Sequence, residues 1–143
     1  MAVADKLTIL QRTPLFRRLN RRQIEQVGKR FVERTYAAGD HIVTQGKGGE
    51  GFFIIMEGRA EAVHEQADGT QVVLNPLDPG DFFGEMALLT EQLRTASVIA
   101  TEPTCCLVLA QWDFLGLLRE DAEMAVAVLQ ELATRFSRVL AIM

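Results

Sequence analysis

Phe52-Phe53-Ile54-Ile55-Met56, closed by Glu57-Gly58, is followed by Arg59-Ala60-Glu61-Ala62-Val63-His64, and then by Asp68-Gly69 ahead of Gln71-Val72-Val73-Leu74. The first run is five apolar residues between turn residues, which is the length of a buried strand and too short for a helix. The second alternates small or apolar with polar residues, the period-two pattern of a strand with one wet face. Asp68-Gly69 is a hairpin signal, because the tight turns that join twisted strands need positive φ at their centre. The same texture extends outward. His41-Ile42-Val43-Thr44 precedes Gln45-Gly46-Lys47-Gly48-Gly49, the turn Asp78-Pro79-Gly80-Asp81 follows, and residues 94–100 and 105–110 supply two more strands. Many short strands at this spacing predict a β-barrel or jelly roll.

On both sides of this stretch the pattern becomes helical. Leu15, Phe16, Leu19, Ile24, Val27 and Phe31 recur at three- to five-residue steps, so residues 1–35 read as helix. Pro14 opens a new turn with Thr13 as its cap, and Asn20 is a second cap ahead of Arg21, which divides the segment into two or three short helices. After Gln111 a short helix covers residues 112–118. A longer one covers residues 122–143, with Met124, Val128, Leu132, Phe136, Val139 and Leu140 apolar. No linker or low-complexity tract interrupts the chain. The expected organisation is one domain over residues 1–143: helices to 36, a barrel over 37–110, and helices over 111–143.

Composition narrows the function. The chain has 143 residues, 48 % hydrophobic and 24 % charged, within the range of a globular domain. No run of about 18 apolar residues suggests a spanning helix, and the opening Met1-Ala2-Val3-Ala4-Asp5-Lys6 lacks the core of a secretory signal. A cytoplasmic protein is expected. Cys105 and Cys106 are adjacent, point to opposite faces of a strand, and read as buried, reduced thiols without a bridge. With only His41 and His64 beside them, a zinc or three-histidine metal site lacks ligands. Residues 1–36 hold nine basic and three acidic residues, net +6, while the remainder is net −10. The basic segment is a nucleic-acid or membrane surface, or else a solvated helix face against an acidic body; the second is preferred because its basic residues alternate with core-type apolar ones.

Chemistry concentrates in Phe82-Phe83-Gly84-Glu85-Met86-Ala87-Leu88-Leu89 and Arg94-Thr95-Ala96-Ser97-Val98. A strand ends at Phe83, Gly84 permits close approach of backbone to a ligand, and residues 85–89 are helix formers. N–H groups at such a helix start suit an anion. Between residues 48 and 118 the only basic side chains are Arg59 and Arg94, against eleven acidic ones. A guanidinium can meet two phosphate oxygens at once, and the small residues after Arg94 leave room. The Glu85 carboxylate is an acceptor for a nearby sugar hydroxyl, so anion plus hydroxyl describes a ribose phosphate. Taken alone, Arg94 and Glu85 read more readily as an ion pair at a barrel corner; the full string turns the balance towards a binding site.

The string Phe83-Gly84-Glu85-Met86-Ala87-Leu88-Leu89, four residues, then Arg94-Thr95-Ala96-Ser97-Val98 resembles the phosphate-binding cassette of the cyclic nucleotide-binding domain family. The likeness extends to Pro14-Leu15-Phe16, Ala38-Gly39-Asp40-His41-Ile42, Gln45-Gly46, Phe52-Phe53-Ile54-Ile55 with Gly58, and Pro79-Gly80-Asp81. It implies an α+β fold, an eight-stranded antiparallel β-barrel of double-stranded β-helix or jelly-roll type, flanked by N-terminal and C-terminal helices. It assigns Glu85 to the ribose 2′-hydroxyl and Arg94 to the cyclic phosphate, with backbone N–H groups at Gly84, Glu85, Met86, Ala87 and Ala96 completing that site. Phe83, Ala62 and Leu74 line the base. Thr95 offers a hydroxyl that suits a guanine without excluding adenine. The implied ligand is therefore cyclic AMP, with cyclic GMP admitted, and no cofactor is required.

Two departures stand out. Leu93 replaces the proline many members carry before the arginine, which loosens the loop. The chain ends at Met143, without the helix-turn-helix of the transcription activators, and Val139-Leu140 stands where those activators place a polar pair, which suggests an apolar lid on the base. The mechanism implied is a ligand-operated switch in which a hinge of Phe114, Leu117 and Leu118 moves and the C-terminal helix closes, acting on an unknown effector. A homodimer through the C-terminal helix is a further expectation, while nucleic-acid binding and a transmembrane segment are not expected. The alternative is the same fold with an empty pocket, serving as a dimerisation or interaction module. An enzyme is not expected, because Asp81, Glu85 and Glu91 come without a nucleophile–base pair or metal set.

Overall fold

A computed structural model of the protein describes residues 5–48, 51–90 and 93–143. Residues 1–4, Gly49 and Glu91, all named above, lie outside the described residues. The chain forms two compact units. Residues 31–111 make a β unit, and residues 5–30 with 112–143 make a helical unit.

The β unit contains β1 (Val32–Tyr36), β2 (His41–Val43), β3 (Gly51–Glu57), β4 (Ala60–Glu65), β5 (Gln71–Leu77), β6 (Phe82–Phe83), β7 (Ser97–Ala100) and β8 (Thr104–Ala110). They form two four-stranded sheets, ordered β1-β8-β3-β6 and β2-β7-β4-β5, with every pairing among the described residues antiparallel. Among the described residues the ladders do not join the sheets into the closed barrel that was expected. Within each of the pairs β1/β2, β3/β4, β5/β6 and β7/β8 the chain changes sheet. The two sheets meet through side chains instead. Phe53, Ile55, Cys106 and Val108 from one, and Ile42, Val43, Ala60, Leu77, Val98 and Ala100 from the other, form one buried cluster. Each large apolar side chain fully buried in this way contributes roughly 1.5–3 kcal/mol.

Two boundaries differ from the sequence reading. Residues 32–36, placed at the end of the N-terminal helices, form β1, paired along its length with β8 from Val32↔Val108 to Tyr36↔Thr104. Val32-Glu33-Arg34-Thr35-Tyr36 has the β-branched and aromatic content of a strand, and that pairing overrides the weak helical spacing. The strand expected over residues 94–100 starts only at Ser97, because the Arg94 backbone is bonded to the turn before β3.

The helical unit contains α1 (Lys6–Arg12), a 3-10 turn (Pro14–Phe16), α2 (Arg21–Gly28), α3 (Gln111–Glu120) and α4 (Ala122–Ile142). Asn20 closes a capping box on α2: its side chain accepts from the Gln23 N–H at 2.8 Å, while Gln23 Oε1 accepts from the Asn20 N–H at 2.9 Å. Such a cap stabilises a helix by about 1 kcal/mol. Thr13 precedes Pro14 as expected, but its hydroxyl donates back to the Ile9 carbonyl at 2.9 Å and caps nothing ahead of it. Several basic residues of the N-terminal segment form ion pairs within this unit. Arg17, Arg18 and Arg135 surround the buried Glu131, Arg22 meets Asp121, Arg21 meets Glu25, and Arg30 meets Asp113. The apolar pattern of α4 splits: Met124 and Val128 are buried, whereas Phe136, Val139 and Leu140 are exposed. No described helix is long and apolar enough to cross a membrane.

Cys105 and Cys106 are free thiols on β8, the first half-exposed and the second buried. Burial, then the Glu33 carboxylate 3.0 Å away, pushes the Cys105 thiol up to about 11. Burial pushes Cys106 up to about 12. Thiols of an unfolded chain titrate near about 8.5. Above that pH the unfolded chain releases protons that the folded chain keeps, so this stabilisation is complete below it and is lost as pH rises towards the folded values. Denaturant midpoints should therefore fall between mildly and strongly alkaline pH, and the fall should be shallower in a Cys105→Ser, Cys106→Ala variant. Equal slopes in the two proteins would refute the thiol contribution.

Candidate anion-binding site

Strand β6 delivers Phe83 onto Phe53 with the rings parallel and their centroids 4.9 Å apart. The chain then turns at Gly84, whose φ of 85° lies in the left-handed region that favours glycine. A single 3-10 turn follows over Glu85–Leu88, in place of the helical segment expected through Leu89. Leu88 is fully buried and pins this turn to the β unit.

Arg94 lies directly beneath Gly84. Its Nη2 donates to the Gly51 carbonyl at 2.7 Å, and its guanidinium carbon stands 5.9 Å from the centre of the Phe53 ring. A Cβ on Gly84 would come within 2.6 Å of both Arg94 Nη1 and the Gly51 carbonyl oxygen. Gly84 is thus required twice, for its backbone conformation and for the approach of the arginine. A guanidinium carries five N–H donors in a fixed fork. The bond to Gly51 holds that fork in place in advance of any ligand.

A cavity of about 160 Å³ opens here, lined by Gly84, Met86, Ala87, Leu93, Arg94 and Thr95. This is below the roughly 300–1,000 Å³ of sites that enclose a drug-sized ligand, so it fits the charged end of a ligand. Larger grooves of about 400 Å³ lie on the helical unit, one of them along Ala122, Val126 and Ala127 of α4. They are wider and more open, and size alone does not select a site without convergent polar groups.

Of the predicted residues, Gly84, Met86, Ala87, Arg94 and Thr95 come together in this cavity wall. Glu85 is the first residue of the 3-10 turn and half-buried, while Phe83 and Ala96 are also half-buried, outside the lining. The Ala87 N–H, expected to serve a phosphate, donates to the Gly84 carbonyl at 3.0 Å, so the turn itself uses that donor. Ala62 packs against the core cluster, and Leu74 is 54 % exposed on the edge strand β5. Val139 and Leu140 are exposed on α4 of the helical unit. There Phe114 and Leu117 are buried, Phe114 against Phe16 at 5.4 Å, and Leu118 is half-buried. Leu93 was expected to loosen the loop. It forms an antiparallel bridge with Gly48, and the Arg94 N–H donates to the Lys47 carbonyl at 2.9 Å. Ser97 is buried, and its hydroxyl accepts from the Gln45 N–H at 2.8 Å, fastening the same turn. Sequence reasoning missed the Gly51 carbonyl and Phe53 as the seat of Arg94; neither carries a signal short of the fold that brings β3 under residue 94.

The family model for the cyclic nucleotide-binding domain matches residues 33–121, and the chain belongs to that family. The cAMP-dependent protein kinase regulatory subunit of Mycosarcoma maydis is 34 % identical over 131 residues, covering 92 % of this chain and 22 % of that protein. The cyclic AMP receptor protein of Thermus thermophilus is 35 % identical over 107 residues, covering 75 % of this chain and 50 % of that protein. The chain thus spans at most half the length of these two curated relatives. Among solved structures, the N-terminal domain of a transcriptional regulator from Streptomyces coelicolor A3(2) superposes with a TM-score of 0.84 at 28 % identity, covering 94 % of this chain and 96 % of the other.

Gly84→Ala should destabilise the protein by about 1–2 kcal/mol from the left-handed backbone alone, and further through the clash with Arg94. The thermal midpoint measures it; a melting curve unchanged from wild type would contradict the described seat of Arg94.

Proposed function

We propose that residues 83–96 hold the ribose phosphate of a 3′,5′-cyclic nucleotide and that the chain is a sensing module, not an enzyme. The observation that carries this reading is the Arg94 guanidinium, fixed on the Gly51 carbonyl beneath a left-handed Gly84, in a cavity sized for a charged group. Arg94 takes the phosphate, together with backbone N–H groups of the 3-10 turn, and Glu85 accepts from the 2′-hydroxyl. The base lies beyond the cavity, against Phe83, Ala62 and Leu74. Cyclic AMP is the favoured ligand and cyclic GMP is admitted through Thr95; both relatives described above are named for cyclic AMP. We read the interleaved strand order as a double-stranded β-helix and residues 1–143 as one sensing domain in the cytoplasm. The ligand shifts the domain between states only by its differential affinity for them, and the effector is an unknown domain or protein.

Arg94→Ala should weaken cyclic nucleotide binding by roughly 2–5 kcal/mol, as for removal of one partner of a buried charge pair. Glu85→Ala should weaken it by about 1.5–3 kcal/mol, as for a charged hydrogen bond. Calorimetry with cyclic AMP and cyclic GMP measures both, and near-wild-type affinity in Arg94→Ala would remove the phosphate assignment.

A second reading, a dimerisation module, is favoured by one observation. On α4 the exposed Ala122, Val126, Leu129, Ala133, Phe136 and Leu140 recur at alternating steps of four and three. That is the 3.5-residue repeat of a two-helix seam, and a second copy of α4 is the occupant we propose, with or without ligand. A Leu129→Glu, Phe136→Glu variant should sediment as a monomer where the wild type sediments as a dimer. A monomeric wild type would dismiss the seam, and no thermal shift at saturating nucleotide would favour the module over the sensor.

A further inference from the structure

We infer that Lys47 is a second cation at the phosphate cradle, placed there by a β-bulge opposite Arg94. The inference rests on the cyclic nucleotide reading of residues 83–96 and adds a residue to that site.

Arg94 makes two backbone bonds to the turn ahead of β3. Its N–H donates to the Lys47 carbonyl at 2.9 Å, and its carbonyl accepts from the Gly46 N–H at 2.8 Å. Gly46 and Lys47 therefore face a single residue, and Gly46 has a φ of 82°. Two residues against one, with a left-handed glycine first, is the G1 form of β-bulge, a device that re-aims a side chain and recurs beside functional sites. The turn is closed by the Lys47 N–H on the Thr44 carbonyl at 3.1 Å and continues into the Gly48–Leu93 bridge. Directly opposed residues in such a pair hold their Cβ atoms about 5 Å apart. Leu93 and Arg94 both line the cavity, so the backbone of the exposed Lys47, bonded to that of Arg94, runs alongside the cavity wall.

Charge gives this placement a consequence. Residues 31–111 hold four basic and twelve acidic residues. Such a body repels an anion at a distance. Of the four cations, Arg59 is paired with Asp78 at 3.1 Å, while Arg94 and Lys47 stand across from each other at the cavity. The ammonium is a mobile point charge on a long stem, suited to drawing in a phosphate that Arg94 then binds through its fork. Its contribution falls mainly on the association rate and is screened by salt. The bulge is made by backbone groups, so the fold does not need the lysine side chain.

The test measures association rates and affinities for cyclic AMP at low and at high salt, in the full chain, for wild type, Lys47→Ala, Lys47→Arg and Arg59→Ala. Arg59→Ala makes the same charge change in the same unit. Lys47→Ala should bind about three- to tenfold more weakly at low salt, chiefly through the association rate, and the deficit should shrink at high salt. Lys47→Arg should restore binding, Arg59→Ala should stay within about twofold of wild type, and all four unliganded proteins should melt alike. Wild-type behaviour in Lys47→Ala, or an equal loss in Arg59→Ala, would overturn the role of Lys47 while leaving the nucleotide site intact. Absence of cyclic nucleotide binding by the wild type would instead bring down the site reading itself.

Discussion

The Arg94 guanidinium sits on a backbone carbonyl, over an aromatic ring and under a glycine. These neighbours come from two parts of the β unit: Gly51 and Phe53 from β3, Gly84 from the turn after β6. A cation in an otherwise acidic body has to be held, because a mobile arginine would find a carboxylate elsewhere. Holding it requires β3 and β6 to pair, as they do through Phe53↔Phe83 and Ile54↔Phe82. The ring stack of Phe53 on Phe83 is therefore part of the site as well as part of the core.

The two sheets make that pairing rigid. Their shared cluster is contributed by β2, β3, β4, β5, β7 and β8, so the floor beneath Arg94 cannot shift without disturbing both layers. The turn carrying Gly46 and Lys47 is tied to residues 93, 94 and 97 by backbone and hydroxyl hydrogen bonds. A small site results whose charged end is formed before a ligand arrives. Preorganisation of this kind saves the ordering cost that a flexible site would meet on binding.

The helical unit follows a different logic. Several of its basic residues, which in the sequence look like a surface for an anionic partner, are engaged with Glu131, Asp121, Asp113 and Glu25. Exposed pairs of this type contribute little each, but Glu131 is buried and ringed by three arginines, which registers the Pro14–Phe16 turn against α4. The apolar residues of the second half of α4 remain outside that packing.

The sequence by itself determined the kind of protein. Strand and turn cadence over residues 41–74 predicted a β unit of short strands, capping residues such as Asn20 marked the helices, and the spacing from Gly84 to Arg94 singled out the cassette. These features are local, carried by periodicity and by residues whose conformational needs are their own. Tertiary structure decided what depends on distant partners. Val32–Tyr36 became a strand because β8 was there to pair with it. The strands sorted into two sheets according to which distant segments pair. Arg94 gained its seat when its side chain met the Gly51 carbonyl, and Lys47 its place opposite Arg94 through backbone hydrogen bonds, each between groups more than forty residues apart. Backbone groups are the same in every residue, so no side-chain pattern announces where they will meet.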